Sequence, residues 1–271
     1  MHAPPLLTDT LLSINNRVAE LTFNREDVRN ALTGTALVEE IVAILDWCNH
    51  NQEVSVLILT GSGSAFSAGG NIKQMRDREG IFAGSTLQIQ DQYRRGIQQL
   101  PLAMQRCEIP LIAAINGPAI GAGMDLACMC DLRIGSNKAL LGETFLNLGI
   151  VPGDGGAWFL PRIVGAQRAA ELIFSGRLVK ADEAKELGLL LDVVAEDELL
   201  TSARALAAKI ATKPPQALRL TKRLLRLGQS QELPEFLDLC ASFQAMAHQT
   251  EDHIEAVNAF IEKRTPAFNG K

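Results

Sequence analysis

The segment Pro110–Cys130 is the most apolar in the chain, yet Asn116, Pro118, Asp125 and three glycines (Gly117, Gly121, Gly123) interrupt it. A membrane-crossing helix needs about 20 largely uninterrupted apolar residues, so this stretch reads as buried core with a turn inside it. Leu111–Ile115 is apolar throughout and suits a strand covered on both faces. Asn116–Gly123 is the turn, and Met124–Cys130 continues as an apolar run.

The same order occurs earlier. The β-branched run Val54–Leu59 reads as a buried strand, Gly61–Gly70 as a glycine-rich turn and Ile72–Met75 as the start of a helix. A third, degenerate pass begins with Leu132–Gly135 and Ala139–Leu141 and runs through Gly142–Gly156 into Ala157–Val164. Ahead of these, Leu11–Ile14 and Arg17–Phe23 predict a β-hairpin turned at Asn15-Asn16. Leu37, Ile41, Ile44, Leu45 and Cys48 recur at helical spacing within Thr35–Asn49. After Gly165 the pattern is helical: Ala166–Phe174, Lys180–Leu187, Glu198–Thr212, Pro215–Leu227, Leu233–Gln249 and Glu251–Lys263. An α/β part over residues 1–190 is therefore expected, followed by a helical part over 191–271. No low-complexity linker separates them, so they should pack together.

With 271 residues, 47% of them hydrophobic and 21% charged, the chain can bury about three-quarters of its unfolded surface, which excludes a disordered or collagen-like protein. A net charge of −5 offers no field for a phosphate backbone, so nucleic-acid binding is not expected. The opening MHAPPLLTDTLL lacks a basic n-region. The five cysteines (Cys48, Cys107, Cys128, Cys130, Cys240) are scattered and read as reduced thiols. A cytoplasmic protein outside the membrane follows as the expectation. The four histidines, His2, His50, His248 and His253, form no zinc-spaced cluster, so no metal is expected.

Two glycine turns that follow buried strands can aim backbone N–H groups at one place, because glycine admits unusual φ/ψ and close approach. If a helix begins at Gly121–Gly123, the free N–H groups of its first turn suit an oxygen that becomes negative during reaction. Asp125, three residues past Ala122, lies on the same helix face, within reach of a substrate carbon held by such donors. Capping the helix is its ordinary structural alternative. Neither turn has the GxGxxG or GxxxxGK[ST] spacing of nucleotide sites.

AFSAGGNIKQM (Ala65–Met75), INGPAIGAGMDLACMCDLRIG (Ile115–Gly135) and LGIVPGDGGAWFLPRIVG (Leu148–Gly165) closely resemble the enoyl-CoA hydratase/isomerase, or crotonase, superfamily. FNREDVRNAL (Phe23–Leu32) and FIEKRTPAF (Phe260–Phe268) resemble that family's two ends, so the likeness runs from about residue 10 to 268. The resemblance implies a spiral of ββα turns followed by oligomerising helices, in trimers or pairs of trimers. It implies an acyl-CoA thioester as substrate, with coenzyme A entering as part of that substrate and no separate cofactor. It also implies that the Gly70 and Ala122 amides form the oxyanion hole, Ala122 standing where glycine is common. Coenzyme A would lie along Val28, Arg29, Ala68 and Ile72, with Lys263 near a phosphate, a position a surface lysine could equally fill.

The chain departs from the family at its acid/base groups. Hydratases of the family use two glutamates; the first matches Asp125, and the second aligns with Phe145, whose ring moves no proton. Glu143 and Asp154 are the candidate substitutes. If Leu140–Phe145 is extended, Glu143 and Phe145 share a face; Glu143 then reads equally as an exposed strand residue and as an acid. Asp154 reads first as an N-cap for the following helix. Phe145 would instead shape the substrate pocket. Hydration or double-bond isomerisation of an enoyl-CoA is the expected reaction, hydration first. Decarboxylation, hydrolysis or dehalogenation of an acyl-CoA in the same hole, and a non-catalytic acyl-CoA binder, are the alternatives.

Overall fold

The computed structural model describes residues 3–271; Met1 and His2, one of the four histidines considered above, lie outside it. The chain begins with β1 (Thr10–Asn15), β2 (Val18–Phe23), α1 (Leu37–His50), β3 (Val56–Gly61), α2 (Ile72–Asp77), α3 (Thr86–Arg95) and α4 (Gln99–Arg106). It continues with β4 (Leu111–Ile115), β5 (Pro118–Ile120), α5 (Ala122–Met129), β6 (Leu132–Ser136), β7 (Leu140–Gly142), α6 (Gly156–Val164), α7 (Ala166–Ser175), β8 (Val179–Lys180), α8 (Ala181–Glu186) and β9 (Asp192–Val194). It closes with α9 (Leu199–Ala211), α10 (Pro215–Leu227), α11 (Leu233–His248) and α12 (Glu251–Glu262).

The strands form two sheets, one ordered β1-β2-β3-β4-β6-β9 and a smaller one ordered β5-β7-β8. Only the β1–β2 hairpin is antiparallel in the large sheet. Its central strands are buried on both faces, and their two-residue period divides the core. Leu57, Leu59, Leu111 and Ala113 face the layer of α1, α4 and α5, while Val56, Ile58, Ile112 and Ala114 face α9. α9 meets that face with Leu199, Ala203, Ala207 and Ala211, whose four-residue spacing and small side chains let the helix lie close on the sheet. β9, beyond residue 190, pairs with β6 and ends the sheet.

α10 attaches by two buried cations. Arg219 donates to the carbonyls of Cys48 and Asn51, each at 3.0 Å, satisfying the end of α1, and Lys222 donates to the Ile109 carbonyl at 2.6 Å and pairs with Asp131 at 2.7 Å.

Several elements differ from the sequence-based expectation. The hairpin turns at Asn16-Arg17, with φ of 48° and 67°, not at Asn15-Asn16. Pairing Asn15 with Val18 is the register that keeps Ala19, Leu21 and Phe23 in the core, and a one-residue slip would expel all three. α3 and α4 had no sequence prediction. β7 stops at Gly142, and Phe145 opens a short 3-10 turn (Phe145–Leu148), so Glu143 and Phe145 do not share an extended strand. The helix expected from Lys180 is preceded by the short strand β8.

Candidate functional site

The loop after β3 is held along its length. Ala65–Ser67 runs beside β5: the Phe66 and Ser67 amides donate to the Pro118 carbonyl at 3.0 and 3.2 Å, and Ile120 donates back to Ser67 at 3.0 Å. Buried Asn30 spans the loop, donating to the carbonyls of Ser62 and Ala65 and accepting from the Arg25 amide. Ser67 Oγ donates to the Asn30 carbonyl and accepts from the Gly69 amide. The Leu32 amide donates to the Gly69 carbonyl at 2.7 Å, and the Asn71 amide to Thr33 Oγ1 at 2.7 Å. Gly70 is thus anchored on both sides, and among the described residues its own N–H has no partner.

The second turn ends where α5 begins. Gly121 donates to the Gly142 carbonyl at 2.8 Å, and Ala122, the first residue of α5, has an N–H with no partner among the described residues. The two turns touch at Gly69. Its φ is 77°, and a Cβ there would lie 2.3 Å from the Ile120 carbonyl oxygen and 3.0 Å from the Ala122 nitrogen, so only glycine fits. The unpaired Ala122 amide therefore lies beside the residue that precedes Gly70.

Val28, Arg29, Ala68, Gly70 and Ile72 line one cavity of about 480 Å³. A second cavity of about 480 Å³ shares Ile72 and is lined by Met75, Phe82, Ile89, Tyr93 and Ile150 among others. Lys263 is in neither; it is the C-cap of α12, at φ 55°. A further cavity, of about 710 Å³, is lined by Arg17, Trp47 and Phe268 and by none of these groups.

Three carboxylates meet where α5 and α6 pack. Asp125 is fully buried on the first turn of α5 and does not cap that helix. Glu143, just after β7, is 1% exposed, which overturns the exposed-strand reading. Asp154 is buried ahead of α6, whose N-cap is Gly155 at φ 114°, so the expected N-cap role falls to the glycine. Gly156 permits the approach: a Cβ on it would sit 2.1 Å from Asp125 Oδ1 and 2.7 Å from Glu143 Oε1. Asp125 and Glu143 lie within hydrogen-bonding reach of each other. That bond exists only with a proton between them; when both are ionised Glu143 has no donor among the described residues, and Asp125 has only the nearby Gly156 amide.

Among the described residues no cation pairs with the cluster, and its electrostatics follow. Burial, then the neighbouring charge of Glu143, pushes Asp125 well above the usual carboxylate range, and the nearby Gly156 amide pulls weakly the other way. Burial raises Glu143 too, opposed by its bond to Asp125 and reinforced by the charge of Asp154. Asp154 is pushed up to about 7 by burial and then by Asp125. The arrangement holds a proton near neutrality, the requirement for a group that both donates and accepts. Phe145, 8% exposed, packs on Gly121, with its ring 3.6 Å from where a Cβ there would lie.

The site thus joins Asp125, Glu143 and Asp154 in one cluster and brings Gly70 together with Val28, Arg29, Ala68 and Ile72. Asn30, Thr33 and Ser67, which fix the first turn, and Gly156, which lets the acids meet, were not singled out from the sequence. Among the described residues no group of three or more His, Cys, Asp or Glu side chains is arranged to hold a metal ion.

A family model described as enoyl-CoA hydratase/isomerase matches residues 13–271. A probable enoyl-CoA hydratase of Bacillus subtilis is 39% identical over 261 residues, covering 96% of this chain and 98% of that protein. The 2,3-dehydroadipyl-CoA hydratase of Escherichia coli is 35% identical over 265 residues, covering 98% of this chain and all of that one. The crystal structure of an enoyl-CoA hydratase from Bacillus anthracis superposes with a TM-score of 0.90 at 36% identity, covering 97% of this chain and 100% of that one.

Proposed function

The chain belongs to the enoyl-CoA hydratase/isomerase family, and from that premise we propose that it hydrates a 2-enoyl-CoA thioester, with Asp125 and Glu143 sharing the proton work that two glutamates perform in the family. The observation that carries this reading is the burial of both carboxylates against Gly156, with no cation paired to either among the described residues, and with Asp125 on the helix whose first residue has an unpaired amide.

In the proposed reaction the thioester carbonyl oxygen accepts from the Gly70 and Ala122 amides, which stabilise the enolate as charge moves onto that oxygen. The ionised member of the Asp125–Glu143 pair takes a proton from water as the water oxygen bonds to C3, and the proton held by the other member is delivered to C2. The pair ends with one proton, as it began, and the product is a 3-hydroxyacyl-CoA. Asp154 raises the proton affinity of Glu143 and so favours the singly protonated state. Isomerisation needs one proton-shuttling carboxylate; a pair that holds acid and base together favours hydration.

The cavity along Val28, Arg29, Ala68 and Ile72 is proposed to take coenzyme A, and the apolar cavity that shares Ile72 to take the acyl group. Lys263, which lines neither cavity, is proposed to meet a phosphate from a neighbouring subunit. Trimers or pairs of trimers are part of the proposal, supported by the exposure of Leu233, Met246, Phe260 and Ile261 on α11 and α12. A cytoplasmic location fits five free cysteines, four of them buried. No helix among the described residues is long and apolar enough to cross a membrane.

Steady-state assays with 2-enoyl-CoA and 3-enoyl-CoA test the reaction. Turnover of the 2-enoyl ester to the 3-hydroxy product, abolished by Asp125→Asn, is expected. Calorimetric binding of both esters without turnover of either would favour the non-catalytic alternative instead.

A further inference from the structure

We infer that the arginine-lined cavity formed by the end of α4, by α6 and by α10 binds the phosphate groups of a small phosphorylated molecule, at a site separate from the acyl-CoA groove. The cavity has a volume of about 480 Å³, and its lining includes Arg106, Arg162, Arg223 and Arg226 with a single carboxylate, Glu108. In a chain of net charge −5 this is a strong local concentration of positive charge. None of the four arginines forms an ion pair among the described residues, whereas Glu108 lies toward Arg219 at 3.7 Å.

Two of the guanidiniums are held in place by neutral contacts. Arg162 lies over the Trp158 ring at 3.8 Å and donates to the Trp158 carbonyl at 2.7 Å, and Arg223 lies over Phe243 at 4.9 Å. Arg226 Nη1 is buried and has no acceptor among the described residues. A buried charged donor without an acceptor is unfavourable, and like charges around one cavity add to that cost. An anion in the cavity removes both penalties.

The number of guanidiniums selects the ligand class. One carboxylate brings a single charge, whereas a phosphate monoester carries nearly two at pH 7 and three acceptor oxygens, matching several planar forks at once. The cavity exceeds the size of one phosphate, and Trp158, 44% exposed, offers an aromatic surface to the rest of the molecule.

Isothermal titration of the full chain with pyrophosphate at low ionic strength tests this. One pyrophosphate per chain is expected, with affinity falling at least tenfold in Arg106→Gln/Arg226→Gln. The exposed single variant Arg162→Gln, which leaves the half-buried Arg226 in place, should weaken binding severalfold and serves if the double variant does not fold. Absence of binding by the wild-type chain, or wild-type affinity in a folded variant, would overturn the inference. So would sedimentation evidence that a second copy of the chain covers the cavity and excludes pyrophosphate. None of these results depends on turnover of an acyl-CoA.

Discussion

Replacing Gly156 by alanine inserts one methyl group between the two acids. The new Cβ would stand 2.1 Å from Asp125 Oδ1 and 2.7 Å from Glu143 Oε1, against an ordinary contact of 3.4 Å or more. The Asp125 oxygen or the start of α6 must therefore retreat by roughly 1 Å, in a region where Asp125 is wholly buried and α5 packs directly on α6. A misplacement of that size costs on the order of 100-fold in rate. The coenzyme A groove is built from other residues, so KM should change by less than about threefold. Stability gives a second reading: alanine in place of glycine in a helix is worth up to about 1 kcal/mol, whereas overpacking a core costs about 1–3 kcal/mol, so the variant should be no more stable than the parent. Loss of enoyl absorbance measures kcat and KM, and thermal melting followed by circular dichroism measures stability. A folded Gly156→Ala enzyme with kcat within twofold of wild type would refute the placement of the acid pair at this helix terminus.

Asp125→Asn and Glu143→Gln should each lower kcat by about 10² to 10⁴, and the double variant should lose little more, because the two act as one unit; additive losses in a double-mutant cycle would contradict the shared proton. Asp154→Asn should stabilise the fold in a pH-dependent way. Its carboxyl rises from 3.8 to about 7 on folding, so the stability it permits at acid pH is lost as pH climbs from about 4 to about 7. At about 1.4 kcal/mol per pKa unit the substitution should recover about 4 kcal/mol at pH 8.5 and about 1 kcal/mol at pH 4.5 in denaturant titrations. An equal gain at both pH values would count against a raised carboxyl. Phe145→Leu should leave kcat within a few-fold, since the ring packs on Gly121 and moves no proton; a loss comparable to that of Asp125→Asn would assign the ring a direct part in the reaction.

Local chemistry made some of this structure readable. Leu111–Ile115 was predicted to the residue because a strand buried on both faces must be apolar at every position. The hairpin slipped by one because Asn15 and Asn16 are both suited to a positive φ, and the choice rests on which register buries Ala19, Leu21 and Phe23. α3 buries no residue fully and α4 only Leu100 and Met104, so neither carries a strong helical stripe; the Ser85–Gln88 capping box was the signal available for α3.

The site divides in the same way. Asp125 and the glycine turns stood out by spacing, but the meeting of Asp125 with Glu143 depends on β7 ending at Gly142 and on Gly156 lacking a side chain. Both facts are tertiary. Asn30 and Thr33 act on a loop 32 to 38 residues removed from them in sequence, and no periodicity links a hydrogen-bonding side chain to so distant a backbone group.

A crystal structure with a bound 2-enoyl-CoA, or an unreactive analogue of it, examines the central claim most directly. The thioester oxygen is expected within about 3.1 Å of both the Gly70 and Ala122 nitrogens, with an oxygen of Asp125 or Glu143 within about 3.2 Å of the attacking water or the C2 proton position. A thioester bound away from these two amides, or one whose C2 and C3 face neither carboxylate, would contradict it.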